Sequence, residues 1–285
     1  MTQTKIRWPG WRALRQHWRA AIFLYLTTVM VSAPAAAGLG FVMHDYFGER
    51  AAGSKIAARL SAVELAEVIM AKPSVWTMLA IVAVLSAVGW YFLQTFVWGA
   101  VLASRGRPSP SVRGMMTLGG HHVWGLLGLS ILGIPFVAVV AIASLMASME
   151  ISKMLTDGAT SEATVLATQW SLFTVALILV VWASATHDLM RARKIEGAGV
   201  LNAFGGGLLA SLRRPVRLLW HGLPWVVSAW ALTVGLTWFD AQQPWTSGQA
   251  IVFSVVIQQS LVLARAFLRI AGLVSIQDLV PAEPT

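Results

Sequence analysis

Residues 123–148 read VWGLLGLSILGIPFVAVVAIASLMAS, a run that contains no charged side chain. A helix of about 20 apolar residues is long enough to cross the hydrocarbon core of a bilayer, which is about 30 Å thick. Because no water is present there, a spanning segment must satisfy its own backbone N–H and C=O groups, as a helix does. The run therefore predicts a transmembrane helix.

Five further runs are also predominantly apolar. They cover approximately residues 20–43, 74–103, 168–190, 218–239 and 250–274. Of the 285 residues, 57% are hydrophobic and only 12% are charged, and the mean hydropathy is +0.69. A water-exposed surface needs far more charge than this. The sequence predicts an all-α, polytopic membrane protein with about six transmembrane helices and short interfacial helices.

The polar segments divide the chain around these runs. A basic segment in which tryptophans are interleaved with Lys and Arg occupies residues 1–19 and predicts an interfacial stretch on the cytoplasmic leaflet. The six-helix domain then covers 20–276 and a cytoplasmic tail covers 277–285. Within the domain, 45–73 is polar with helical periodicity, which predicts a helical loop outside the membrane on the extracytoplasmic side.

The first apolar run allows a second interpretation. Its basic start, the run AIFLYLTTVMV and the small residues around Ala35 and Ala37 are also typical of a secretory signal peptide, which would be cleaved within about the first 37 residues. The apolar run continues through GLGFVM, beyond that point. We therefore favour an uncleaved anchor.

The charge distribution predicts the orientation, since Lys and Arg are retained in cytoplasmic loops. With both termini in the cytoplasm, 16 of the 21 Lys and Arg and only four of the 12 Asp and Glu fall on the cytoplasmic side. The outer loops then carry five basic and eight acidic residues. No arrangement with an odd number of these spans separates the charges as well. We expect a bacterial inner-membrane protein with this orientation.

Residues 195–217 predict a cytoplasmic interfacial helix. Leu201, Phe204, Leu208 and Leu212 form one stripe, and Gly205 to Gly207 are expected to interrupt the helix. Such a helix either connects two spans along the bilayer surface or docks a protein partner at the cytoplasmic face.

The chain resembles a diffuse group of uncharacterised bacterial six-span membrane proteins. The resemblance rests on short segments: TFVWGAVLASRG at 95–106, HDLMRARK at 187–194, LLASLRRPVR at 208–217 and IQQSLVLARAFLR at 257–269. It extends over most of the layout of the chain and implies the architecture, without implying an activity.

Catalytic and cofactor motifs are absent from the sequence. There is no cysteine, and no metalloprotease, nucleophile-elbow, Walker or Rossmann pattern occurs. A metal site would need His121 or His122 to converge with His187 and Asp188 from separate spans. We expect no catalytic residue, no cofactor and no metal, and the basic excess reflects orientation rather than nucleic-acid binding.

Polar side chains within the apolar runs are the candidate functional residues. Asp188 lies near the inner end of the fourth span at a depth similar to Arg265 and Arg269 in the sixth, which predicts an ion pair between Asp188 and one of these arginines. Three glutamines are candidates for helix contacts or for a polar substrate path: Gln94, Gln258 and Gln259.

The basic inner face predicts binding of anionic lipids, with six arginines as its candidate residues: Arg12, Arg15, Arg19, Arg213, Arg214 and Arg217. The composition and the missing motifs favour a non-enzymatic protein that transports or accommodates a hydrophobic or amphiphilic molecule. The alternatives are a membrane-embedded assembly subunit of a larger complex and, less favoured, an intramembrane enzyme.

Overall fold

The computed structural model describes residues 15–47, 70, 73–105, 110–158, 161–242 and 248–280. Within these residues the chain forms seven helices and no strand, which confirms the predicted all-α class. The helices are α1 (Trp18–Phe47), α2 (Pro73–Ala103), α3 (Val112–Thr156), α4 (Glu162–Ile195), α5 (Val200–Arg213), α6 (Pro215–Gln242) and α7 (Gly248–Gln277).

Six of these helices are long and apolar enough to cross a membrane, and they coincide with the six predicted runs. The exception is the short α5. α3 is the longest at 45 residues, which corresponds to about 68 Å at the helical rise of about 1.5 Å per residue. A hydrocarbon core is only about 30 Å thick, so α3 extends beyond it, and the predicted run 123–148 is only its apolar centre.

The predicted interfacial helix 195–217 differs from the structure in both bounds and in its continuity. α4 runs to Ile195, and α5 begins only at Val200. The glycines do not interrupt it, because α5 is continuous from Val200 to Arg213. It also ends before Arg217: Arg214 is non-helical at φ −140° and ψ 57°, and α6 begins at Pro215. Proline disfavours helical geometry in the preceding residue but fits the first position of a helix, so the Arg214-Pro215 pair separates the two helices.

The contacts divide the chain into two compact units. In the unit Phe23–Gln94, the indole N–H of Trp90 on α2 donates a hydrogen bond of 3.0 Å to the Thr28 hydroxyl on α1. The second unit, Met1–Ile22 with Thr95–Thr285, contains the last part of α2 and all of α3 to α7.

The core of the second unit lies around the carboxyl end of α4. Residues 185–192 of this helix are all buried, whereas most residues of its first half are exposed. Ile270, Ala271 and Leu273 of α7 are buried as well. The described packing is therefore dense at one end of the helices and leaves apolar surface at the other, as expected where lipid provides the contacts.

Some predicted regions lie outside the described residues. These are residues 1–14 of the basic segment, nearly all of the loop 45–73 and the last part of the tail, 281–285.

Candidate functional site

A buried ionic cluster surrounds Asp188 near the end of α4. Arg269 of α7 donates two hydrogen bonds to this carboxylate, one to each oxygen, at 2.6 and 2.7 Å. Arg191, one turn further along α4, donates a third at 2.7 Å. Asp188 is only 1% exposed and the Arg191 side chain only 3%. The carboxylate therefore joins α4 to α7 and receives charge-assisted hydrogen bonds at both oxygens, which is what burial of a charge requires.

Trp98 of α2 covers both arginines of this cluster. The Arg191 guanidinium lies 4.0 Å from the centre of the indole ring, and the Arg269 guanidinium lies 5.0 Å from it. Both distances are within the range of cation–π attraction. We call Asp188, Arg191, Arg269 and Trp98 the Asp188 cluster; it connects α2, α4 and α7.

Neighbouring residues of α4 contact α3 and α5 through glycines. The His187 ring lies against Gly133 of α3, where a Cβ atom would collide with it. On α5, a Cβ added at Gly207 would lie 2.5 Å from Met190 Cγ. Arg193 donates a hydrogen bond to the carbonyl of Gly206. Glycine allows this close approach because it has no side chain, so the end of α4 packs closely against α3 and α5.

The ends of four helices meet next to this cluster. Arg105, just after α2, pairs with Glu196 after α4 and donates a hydrogen bond of 2.8 Å to the Val280 carbonyl. Gln277 at the end of α7 donates one of 2.7 Å to the Leu102 carbonyl. The Nδ1 atom of His221 on α6 lies 2.8 Å from the carbonyl oxygen of Ser275.

Asp278 lies beyond the last span, next to these helix ends. Partial burial raises the pKa of its carboxyl above the usual value, although the charge of Arg105 and, less strongly, that of His221 lower it. Ionised Asp278 therefore opposes folding slightly.

An arginine-lined cavity of about 390 Å³ opens between α4, α5, α6 and the chain end. Arg193, Arg213, Arg214 and Arg217 contribute its charge, and no carboxylate is among the described residues that line it. The other walls are apolar or glycine, contributed by Leu189, Gly206, Leu209, Ala210, Leu218, Leu279 and Val280. We call it the arginine cavity. Four cations beside an apolar wall suit an anionic amphiphile.

A second cavity of about 250 Å³ lies between α4, α6 and α7, and we call it the interhelical cavity. Asp188, Arg265 and Arg269 line it together with apolar and small side chains. Its lining residues precede those of the arginine cavity along α4 and follow them along α6.

The structure brings together Asp188 and Arg269 of the predicted ion pair. Arg265 is exposed on the wall of the interhelical cavity and makes no ion pair within the described residues. The glutamines do not converge on either cavity. Gln94 is buried, and Gln258 donates a hydrogen bond of 3.3 Å to Ser254 one turn earlier on α7.

The six arginines of the predicted lipid-binding face fall into two groups. Arg213, Arg214 and Arg217 are exposed and line the arginine cavity. Arg15 and Arg19 are exposed but do not line it, and Arg12 lies outside the described residues.

Sequence reasoning missed Arg191, Trp98 and Arg193. Arg191 could have been found, since it follows Asp188 by three residues and so lies on the same helical face. No local pattern indicates that Trp98 covers the arginines, because that contact depends on how α2 packs.

The described residues contain no group of three or more His, Asp or Glu that could hold a metal ion. A metal site formed by His121 or His122 with His187 and Asp188 is therefore not found among them.

The fold and these contacts define a polytopic α-helical membrane protein with a buried ionic cluster and a cationic cavity near one set of helix ends. Comparisons with protein-family models, with curated proteins and with solved structures find no match for the chain. Function must therefore be argued from the site.

Proposed function

We propose that this chain is a non-enzymatic protein of the bacterial inner membrane that binds an anionic amphiphile in the arginine cavity, with both termini in the cytoplasm. The observation that carries the proposal is the lining of that cavity, where four arginines share one space with leucines and Val280, and where the described part of the chain places no carboxylate. A phosphate head group and the first part of an acyl chain have these complementary properties.

The positions of the arginines support recognition of a head group. Arg213 lies in the last turn of α5, Arg214 is the non-helical residue between the two helices, and Arg217 lies in the first turn of α6. Three guanidinium groups thus come from one short segment whose geometry Pro215 fixes. Guanidinium groups bind phosphate oxygens in pairs, and the backbone amides at the start of a helix favour an anion nearby.

The size of the cavity supports a ligand of lipid head-group dimensions. Small-molecule sites typically enclose about 300–1,000 Å³, and the arginine cavity, at about 390 Å³, lies within this range. A ligand that binds there would place its polar group at the helix ends and its chain along the apolar wall, in the orientation of a membrane lipid.

Native mass spectrometry of the full chain tests this proposal. The protein, purified in mild detergent, is mixed with phosphatidylglycerol or phosphatidylcholine, and bound lipid is counted. Each arginine near an anionic lipid contributes about 1 kcal/mol, so the R213Q/R217Q variant should bind phosphatidylglycerol about 30-fold more weakly. The matched control R15Q/R19Q removes the same charge from exposed positions outside the cavity and should bind as the unchanged chain does.

Equal losses in both variants would contradict the proposal, because they would indicate general attraction to a basic surface. Retention of phosphatidylglycerol by R213Q/R217Q would also contradict it. A protein that co-purifies with the chain and is lost in R213Q/R217Q would favour the alternative, an assembly subunit that uses this cavity to dock a partner.

A further inference from the structure

The interhelical cavity combines a largely apolar lining with three charged side chains, of which Arg265 alone has no ion-pair partner within the described residues. Its walls include Val181, Val226, Ala229, Leu268 and Ile276. Val226 is 44% exposed, so the cavity is open along α6 to the apolar surroundings of the helices. A molecule could enter it from the bilayer without leaving an apolar environment.

The three charged residues on the wall differ in whether they form an ion pair. Both oxygens of Asp188 accept hydrogen bonds from Arg269, so this pair is neutralised internally. Arg265, one turn earlier on α7, is exposed and has no ion-pair partner within the described residues. A guanidinium in low-dielectric surroundings favours an anion that can accept two parallel hydrogen bonds, and a carboxylate has this geometry.

Two glycines set the size of the space. A Cβ atom at Gly222 of α6 would lie 3.2 Å from the Ala185 Cβ, and one at Gly272 of α7 would lie 3.4 Å from the Trp225 Cβ. These contacts hold the three helices close together around the cavity, whose volume is about 250 Å³. This is below the usual range for a drug-sized ligand, about 300–1,000 Å³. It suits part of one acyl chain rather than a two-chain phospholipid.

We infer that the interhelical cavity binds a single-chain fatty acid, whose carboxylate pairs with Arg265 and whose chain lies between α4, α6 and α7. This site is separate from the arginine cavity and does not depend on the proposed function, because no arginine is shared between the two linings. The Asp188–Arg269 pair also lines the site and has no direct role in binding the carboxylate.

Photocrosslinking tests the inference on the full chain in nanodiscs of phosphatidylcholine. The probe is a hexadecanoic acid with a diazirine on its chain, and the crosslinked peptides are mapped by mass spectrometry. Crosslinks are expected on the cavity walls of α4, α6 and α7. Palmitate should compete at least about tenfold better than hexadecanol, which has the same chain without the charge, because a hydrogen bond to a charged group is lost.

Four variants locate the site. R265Q should weaken the competition by palmitate about tenfold and remove its advantage over hexadecanol, whereas R265K should keep part of this advantage. A229F fills the apolar space without changing a charge and should reduce crosslinking of the probe. R217Q alters the arginine cavity only and should leave crosslinking unchanged.

The inference is overturned if palmitate and hexadecanol compete equally, or if R265Q binds as the unchanged chain does. It is also overturned if R217Q abolishes crosslinking, since the fatty acid would then occupy the arginine cavity. The melting temperature of each variant in the same nanodiscs separates a loss of binding from a loss of fold.

Discussion

Asp188 shows how one buried carboxylate can connect three helices. Its partners are Arg269 of α7 and Arg191 of its own helix, and Trp98 of α2 covers both guanidinium groups. Removal of one member of a buried ion pair leaves an uncompensated charge and typically costs about 3–5 kcal/mol. The depth of Asp188 was evident from the sequence, but the choice between Arg265 and Arg269 was not, because both lie on one face of α7.

A double-mutant cycle measures this pair. Asp188→Asn and Arg269→Gln should each lower the free energy of unfolding in mixed micelles, and the double variant should lose at least about 1 kcal/mol less than their sum. Asp188→Asn combined with Arg265→Gln is the control and should be additive within about 0.5 kcal/mol. Additivity in the Arg269 cycle would show that the two side chains are not coupled.

Asp278 gives the chain a pH-dependent contribution to stability. Because burial raises the pKa of this carboxyl in the folded state, its ionised form opposes folding, and this cost disappears as the pH falls through the raised pKa. Asp278→Asn should therefore melt slightly higher than the unchanged chain at pH 7. The difference should shrink toward zero below about pH 4, the usual range for aspartate.

Melting temperatures between about pH 3 and pH 8, a range that extends below the usual pKa of aspartate, check this expectation, with Asp157→Asn at an exposed position as the control. A variant that melts lower than the unchanged chain at pH 7 would show that the attraction to Arg105 outweighs burial.

At the scale of the element, the apolar runs predicted the six long helices because the bilayer requires a helix wherever water is excluded. The same runs could not predict where α3 ends. Hydropathy falls at the membrane boundary, whereas the helix continues to Thr156 since MEISKMLT contains no helix-breaking residue. The break at Arg214 was likewise missed, although Pro215 is a local signal for it.

Close helix contacts depend on individual glycines, which periodicity does not reveal. A Cβ at Gly119 of α3 would lie 2.6 Å from the Phe96 carbonyl oxygen on α2, whereas one at the adjacent Gly120 would come no closer than 3.7 Å to the Phe96 ring. Backbone atoms cannot move aside as a flexible side chain can. Substitutions at the two positions can therefore be compared to separate the effect of the α2–α3 contact from the effect of losing a glycine.

Gly119→Ala should lower the free energy of unfolding by about 1–3 kcal/mol, because it forces α2 and α3 apart. Gly120→Ala should be neutral or slightly stabilising, since alanine favours the helix by up to about 1 kcal/mol over glycine. Denaturation of both variants in the same detergent checks the prediction. Equal losses would attribute the effect to the loss of glycine itself rather than to the contact with Phe96.

For the whole molecule, the sequence predicted that basic residues concentrate at one membrane surface but not that some of them would enclose a cavity. The arginine cavity depends on the packing of α4 and α6 and on the position of Val280, which are distant in the chain. The distribution of charges along the sequence predicts the side of the membrane on which the arginines lie. Only the packing of the helices shows which arginines line the same cavity.

The proposed binding of an anionic amphiphile places the arginine cavity at the cytoplasmic surface, and thiol accessibility tests this orientation most directly. The chain has no cysteine, so single Ser→Cys substitutions can be labelled with an impermeant thiol reagent in intact cells. Ser54 and Ser161 should label from outside, whereas Ser109 should label only after the membrane is opened. External labelling of Ser109, with Ser54 and Ser161 protected, would contradict the six-span orientation and the cytoplasmic site.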